Sequence, residues 1–379
     1  MEVVANKKKE VLFILHLPPP VHGAAVVNNY IKTSLLINEN YNTDYVSLAT
    51  NTVLAETGKG SLKKFFKFIS ILWKVFRKLI SKKYDLCYMT LTASGPAFYK
   101  DIIVVALLKL FGQRIIYHFH NKGVAAAKDK GINKSLYRFA FNNTKSLLLS
   151  KYLYPDIKDF VKEENVYYCP CGVPESNAAE LIDSKSIRAG RKLSILYLSN
   201  MMIEKGVYVL LEACAILKKR NLPFTCNFVG GWTDITPDEF NNYVEEHHLQ
   251  NSVFAHGPKY GDDKVKFFQN ADVFVFPTYY HYEAFPLVNL EAMQYSLPVI
   301  STTEAGIPDE IIDGETGFLI PRKDALMLAD KLQFFIGSPE AGVYMGELGR
   351  QRFKSKFTLN HFEENISKIV SKAIAEPIH

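Results

Sequence analysis

Residues 271–319 read ADVFVFPTYYHYEAFPLVNLEAMQYSLPVISTTEAGIPDEIIDGETGFL, and their order decides the fold. Asp272–Pro277 is a short, nearly continuous apolar run, as a strand buried on both faces requires. A polar loop follows and closes on Glu283. Leu287–Tyr295 has helical length and no breaker, and Pro298–Ser301 is apolar again. Strand, helix, strand in this order is a parallel crossover unit. Pro286 suits the first turn of the helix, where its missing N–H costs nothing. The amides of Leu287 and Val288 then point out of the helix start, a ready anion site. Glu283 and Glu291 bracket that start. The loop and helix can thus offer one carboxylate to a sugar hydroxyl and another to a ribose, with a diphosphate between them.

The same alternation extends in both directions. Strands are expected at Val11–His16, Tyr45–Leu48, Asp85–Thr90, Ile115–Phe119, Ser146–Ser150 and Val166–Tyr168, then again at Leu193–Leu198 and Phe224–Val229. Helices are expected at about Ala24–Leu36, Ser61–Ser81, Asp101–Phe111, Val207–Lys219, Asp324–Phe335 and Leu359–Ala375. At 379 residues the chain is long for one core and natural for two. The fold class is therefore α/β, with two Rossmann-like domains whose parallel sheets face across a cleft. The boundaries read as 1–175 for the first domain, 176–191 for a linker rich in Ser, Ala and Asp, and 192–358 for the second. A final helix, 359–379, is read as returning to the first domain.

Composition narrows the class. Hydrophobic residues at 48% and charged residues at 22% describe an ordinary globular protein. No apolar run reaches the roughly 18–20 residues that span a bilayer. The basic, then apolar N-terminus runs into Pro18-Pro19-Pro20 with no small-residue cleavage site, so it reads as a first strand rather than a signal peptide. Five cysteines at irregular spacing read as reduced thiols and a cytoplasmic location. A net charge of +6 is too small to imply nucleic acid. Gly58-Lys59-Gly60 lacks a preceding strand and a third glycine, so it is a weak dinucleotide signal. There is no P-loop, and no Asp-x-Asp that would pair carboxylates on a magnesium diphosphate. His118 and His120 have no third ligand nearby in sequence, so no metal or cofactor is expected.

Three more segments carry chemistry. In LYLSNMMIEKGV, residues 196–207, a strand ends and Lys205-Gly206 opens a helix. A lysine there meets a diphosphate as a point charge. In LPPPVHGAAVV, residues 17–27, Gly23 lets the backbone approach a ligand closely. In IIYHFHN, residues 115–121, His118 and His120 share one face of a strand, with His120 at its end.

These segments together resemble the retaining glycosyltransferases of family 4, which have the GT-B fold. That family carries a Glu, seven residues and a second Glu between an "aDvfv.PS" strand and an "EA...G.PV" segment. The resemblance is most specific over Ala271–Leu319, moderate at Ser199–Gly206 and Pro18–Ala25, and weak elsewhere. It implies that Glu283 contacts the donor sugar beside the reacting carbon and that Glu291 binds the ribose. It implies that Lys205 holds the donor phosphates with the helix amides of Leu287 and Val288, and that the Gly23 loop packs against the diphosphate. Phe285 and Gly306 lie at donor-binding positions of the pattern, and His120 stands where the family often has a His near the transferred sugar. The chain departs from the pattern at Asn200, which holds the place of the phosphate-binding Arg, and at Ser199, Ala284, Pro286 and Ser296, which replace glycines.

The expected activity is transfer of a sugar from a nucleotide-diphosphate sugar to an acceptor hydroxyl on a lipid-linked or cell-surface glycan, with retention and without a metal. A same-fold epimerase or phosphorylase, and a non-catalytic scaffold of glycan assembly, remain alternatives. The stretch 61–83, SLKKFFKFISILWKVFRKLISKK, contains no acid. Wound as a helix it sets Lys63, Lys64, Lys67, Lys74, Arg77, Lys78 and Lys82 on one arc and aromatic and aliphatic residues opposite. That profile predicts contact with an anionic membrane surface, a peripheral placement on the inner face.

Overall fold

The structure is a computed structural model that describes residues 7–50, 62–176 and 192–378. Gly58-Lys59-Gly60 and residues 177–191 of the expected linker lie outside the described residues. The chain forms two compact units. Residues 1–171 and 359–379 make the first, and residues 172–358 make the second. The sequence reading put residues 172–175 with the first domain. Here Val173 bridges to Thr358, and Ser176 N donates to Gln294 Oε1 at 3.0 Å, so this segment belongs to the second unit.

Among the described residues the first unit has six strands: β1 Glu10–Leu15, β2 Asn42–Ser47, β3 Leu86–Thr90, β4 Ile115–His118, β5 Lys145–Leu148 and β6 Val166–Tyr168. They pair in the order β2-β1-β3-β4-β5-β6, all parallel. The inner strands are buried almost throughout, as a sheet covered on both faces requires, while the edge strand β2 is only partly covered. Helices α1 Gly23–Thr33, α2 Leu35–Asn40, α3 Leu62–Ser81, α4 Gly95–Leu110 and α5 Asn133–Phe141 cover it. The single helix expected at Ala24–Leu36 is two. Ser34 takes an extended backbone, ends α1, and accepts Ile37 N with its own Oγ to start α2.

The second unit has β7 Leu193–Leu198, β8 Phe224–Val229, β9 Val253–Ala255, β10 Val273–Phe276, β11 Val299–Thr302 and β12 Gly317–Ile320, parallel in the order β12-β11-β10-β7-β8-β9. Its helices are α6 Val207–Lys219, α7 Pro237–Glu246, α8 Gly261–Asn270, α9 Leu287–Gln294, α10 Ala325–Gly337 and α11 Pro339–Lys356. The last helix, α12 Leu359–Ala375, packs in the first unit, where Tyr41 donates to Ser367 O at 2.7 Å.

Strand order places the sites. Strand order reverses direction between β1 and β3 in one sheet and between β7 and β10 in the other. Open parallel sheets bind ligands at such reversals, beyond the carboxyl ends of the strands.

Helix α3 corrects the sequence reading of its charges. Lys78 pairs with Asp44, Lys82 with Glu10 and Asp44, and Lys67 donates to Thr50 O. These lysines are therefore turned onto the unit itself. The side chain of Lys63 lies outside the described residues. The helix buries Ile71, Val75 and Leu79 at four-residue spacing and exposes a second apolar stripe of Leu62, Phe65, Phe66, Ile69, Trp73 and Ile80. Phe66 is 68% and Trp73 58% exposed. No helix among the described residues is long and apolar enough to cross a membrane.

Candidate functional site

In the second unit, the loops that leave β7 and β10 meet at the strand-order reversal. The β7 loop ends in the single turn Ile203–Lys205, then Gly206, whose φ is +86°. A Cβ on Gly206 would lie 2.3 Å from Pro277 O, so only glycine lets this loop lie against the end of β10. That close approach brings Lys205 to Glu283. Lys205 Nζ donates to Glu283 Oε2 at 2.7 Å, and Thr278 Oγ1 reaches the same oxygen at 3.3 Å. Both side chains are largely buried, at 16% and 10% exposure. The ammonium also lies 4.5 Å from the Tyr280 ring centroid and 5.4 Å from that of Phe276, two further electron-rich faces for its charge.

Beside this pair α9 begins. Pro286 stands just outside the helix as its cap residue, not inside the first turn as the sequence reading had it. No side chain caps this end and its first turn holds no acid, so it carries the partial positive charge of the helix unopposed by a carboxylate of its own. Leu287 and Val288 are its first two residues and are half-buried. Glu291 follows one turn later, about 6 Å along the axis. Both its oxygens accept Lys264 Nζ, at 2.7 Å each. Phe285 is buried with its ring centroid 6.1 Å from that of Phe357, which leaves its backbone rather than its ring for a ligand. Gly306 N donates to Ala284 O at 2.9 Å and so ties the Glu283 loop to the one-turn helix Ile307–Glu310. Asn200 is exposed; its backbone oxygen accepts from Met202 N.

Beneath this surface lie groups that sequence spacing did not reveal. Glu310 is fully buried, and its Oε2 accepts Asn289 Nδ2 at 2.6 Å. Burial pushes its carboxyl well above the ordinary range, and the charge of Glu283 adds to the effect. Glu310 Oε1 and Asn289 Oδ1 are the atoms left without partners. A neutral Glu310 has a proton to place there; a carboxylate has none. Fully buried Glu304 meets Arg322 Nε at 2.8 Å. Lys264, Asn289 and Arg322 partner acids 27, 21 and 18 positions away, a separation no local motif shows.

In the first unit, the candidates gather at its own strand-order reversal. His16 ends the β1 segment, and its Nε2 lies 3.4 Å from Thr92 Oγ1 and 3.8 Å from Asp101 Oδ2. Asp101 is buried and accepts Thr92 N at 2.9 Å. His22 caps α1 by accepting Ala25 N. Gly23 opens α1 with nothing within 4 Å of a would-be Cβ, so packing of the unit does not demand a glycine there. His120 Nε2 meets Asn28 Oδ1 at 3.2 Å, and enclosure lowers its pKa to about 3, with His16 and His22 adding. His118 is fully buried against Tyr88, whose hydroxyl lies 2.6 Å from its Nδ1. Among the described residues, no three His, Cys, Asp or Glu side chains are grouped to hold a metal ion.

With the geometry in view, comparison with known proteins adds the following. Residues 179–352, just under half of the chain, match the family described as Glycosyl transferases group 1. The capsular polysaccharide biosynthesis glycosyltransferase CapM of Staphylococcus aureus is 27% identical over 180 residues, 48% of this chain and 46% of its own length. The chain spans less than half the length of the curated relatives it matches. Among solved structures, sucrose-phosphate synthase from Thermosynechococcus elongatus superposes with a TM-score of 0.73 at 19% identity, covering 97% of this chain and 100% of that one. Anabaena HepE in complex with UDP gives 0.70 at 16% identity, covering 96% and 100%. At these identities the likeness shows the fold, and the fold is GT-B.

Proposed function

We propose that this protein is a glycosyltransferase that moves a sugar from a nucleotide-diphosphate sugar to a hydroxyl of a glycan or lipid-linked acceptor, with retention and without a metal. One observation carries the proposal: Lys205 and Glu283, from loops after different strands, meet at 2.7 Å beside an uncapped helix start at the strand-order reversal. A diphosphate fits the ammonium and the amides of Leu287 and Val288, which compensate the charge that develops as it leaves. Glu291 takes the ribose hydroxyls, and Glu283 takes a hydroxyl of the sugar. In the transfer, the bond from the anomeric carbon to the diphosphate breaks and a bond to the acceptor oxygen forms on the same face. The acceptor proton passes to the departing phosphate. His120, through its other ring nitrogen, positions the transferred sugar or the acceptor. CapM, named for capsular polysaccharide, and HepE, bound to UDP, support the donor and acceptor classes.

The exposed stripe of α3 suits a lipid surface. Its aromatic residues enter the interface while Lys74 and Arg77 alongside face anionic headgroups. Such a placement brings the enzyme to a lipid-linked acceptor on the cytoplasmic side.

The test is incubation with a panel of nucleotide sugars and glycan acceptors, in EDTA and with added manganese, with products read by NMR for anomeric configuration. Acceptor-dependent transfer with retention in EDTA is expected. Turnover that needs manganese overturns the metal-free route, and inversion overturns the mechanism. Product without acceptor would make the protein an epimerase, and a requirement for phosphate a phosphorylase. Asn200, in place of a second phosphate cation, favours a non-catalytic scaffold as the second reading; binding without turnover of any donor would establish it.

A further inference from the structure

We infer that Asn28 is a positioning residue that fixes which nitrogen of His120 carries the proton. The inference rests on the role proposed for His120. Asn28 lies on α1, fully buried, with three hydrogen-bond partners on three other segments. One end of its amide lies 3.2 Å from the backbone oxygen of His16. A carbonyl oxygen only accepts, so that end is Nδ2. The other end is therefore Oδ1. It meets Thr90 Oγ1 at 3.1 Å and His120 Nε2 at 3.2 Å. An amide oxygen has two lone pairs and only accepts. Thr90 and His120 must both donate to it, and a neutral His120 then holds its proton on Nε2. Nδ1 is left as the nitrogen with the lone pair, able to accept a hydrogen bond from a substrate hydroxyl.

The surroundings keep the ring neutral. Enclosure and the neighbouring imidazoles of His16 and His22 work against an imidazolium, and the His118 ring centroid lies 4.0 Å away. The nearby acid, Asp101, faces His16 rather than His120. Without Asn28 nothing described would choose between the two neutral tautomers, and the one with Nδ1–H offers the substrate a donor where a hydroxyl needs an acceptor.

The direct test needs no variant. Long-range proton–nitrogen correlation on ¹⁵N-histidine-labelled protein, assigned with His120→Gln, is expected to show Nε2–H. A spectrum with Nδ1–H overturns the inference whatever the activity. Asn28→Asp keeps the shape but sets a carboxylate against the ring. His120, facing that carboxylate with His16, His22 and His118 around it, should become cationic at neutral pH. The acid limb of the kcat profile should move to higher pH, with kcat at pH 7 falling about tenfold and the donor KM unchanged. That loss lies below the about 10²–10⁴ that a positioned acid–base group contributes. Asn28→Ala should yield mixed tautomers and a similar fall in kcat. A folded Asn28→Ala that keeps both the Nε2–H signal and kcat also overturns the inference. His120→Ala separates the two ideas: full activity there refutes the proposed role of His120, while the wild-type spectrum still decides what Asn28 does.

Discussion

Replacing Lys205 with alanine should unfold the second unit at lower temperature as well as abolish transfer, and the two effects can be separated. In the wild type, Glu283 is 8% exposed and its Oε2 is held at 2.7 Å by Lys205. Alanine leaves that oxygen with Thr278 Oγ1, at 3.3 Å. Removing one partner of a buried pair costs about 3–5 kcal/mol, because the remaining charge stays uncompensated. At about 2–4 °C per kcal/mol for a unit of this size, the melting temperature should fall by about 6–20 °C. Trp232 reports on this unit, with its ring centroid 5.7 Å from that of Phe240. Its fluorescence in a Trp73→Phe background follows unfolding there without signal from the first unit. The double variant Lys205→Ala, Glu283→Gln removes the stranded charge and should regain most of the lost stability while staying inactive. If Lys205→Ala melts like the wild type, the ion pair does not hold Glu283. If the double variant melts no higher than Lys205→Ala, the stranded charge is not the cause.

Other outcomes follow from the same geometry. Glu291→Gln should weaken binding of the preferred nucleoside diphosphate by about 1.5–3 kcal/mol, the range for a hydrogen bond to a charged group, and calorimetry showing unchanged affinity would sink the ribose assignment. Glu310 takes up its proton more readily in the folded protein than in the unfolded chain, whose carboxyl titrates near 4.5. Its contribution therefore falls as pH rises above that value, until the folded carboxyl itself ionises. Glu310→Gln should flatten this slope, and melting curves of the two proteins that stay parallel from pH 5 to 8 would contradict a neutral Glu310. Phe66→Ser with Trp73→Ser should release the protein from anionic liposomes, because each aromatic ring contributes about 1.5–3 kcal/mol when buried. Its melting temperature should hold, since both side chains are exposed; equal cosedimentation of variant and wild type would remove the membrane from the proposal.

The sequence revealed those parts of the molecule in which chemistry is local. Leu193–Leu198, Phe224–Val229 and Val207–Lys219 have the bounds expected from their apolar runs, because a strand buried on both faces needs such a run and little else. Helix α4 begins at Gly95, six residues before the expected start, because Gly-Pro-Ala-Phe-Tyr-Lys shows no apolar period although Pro96 suits a first turn. Helix α7 carries a capping box between Thr236 and Glu239, yet buries only Phe240 and Val244, too few for a period to show. Glu283 and Glu291 were legible because a loop and one helix set their separation. Lys264, Asn28 and Glu310 were not. Each meets a partner that only the tertiary fold brings near, and a lone lysine, asparagine or glutamate on a helix looks like any solvated residue.

The return of α12 to the first unit bears on the order in which the protein is made. Buried Lys145 finds Glu376, Arg114 donates to Ala373 O, and Tyr41 finds Ser367 and Ser371, all from the last helix and its end. A ribosome that has finished residue 171 still has the whole second unit to synthesise before those partners emerge. At about 5–20 residues per second that interval lasts about 10–40 s. During it the first unit lacks the helix that covers part of its sheet. The half of the protein that is translated first is completed last.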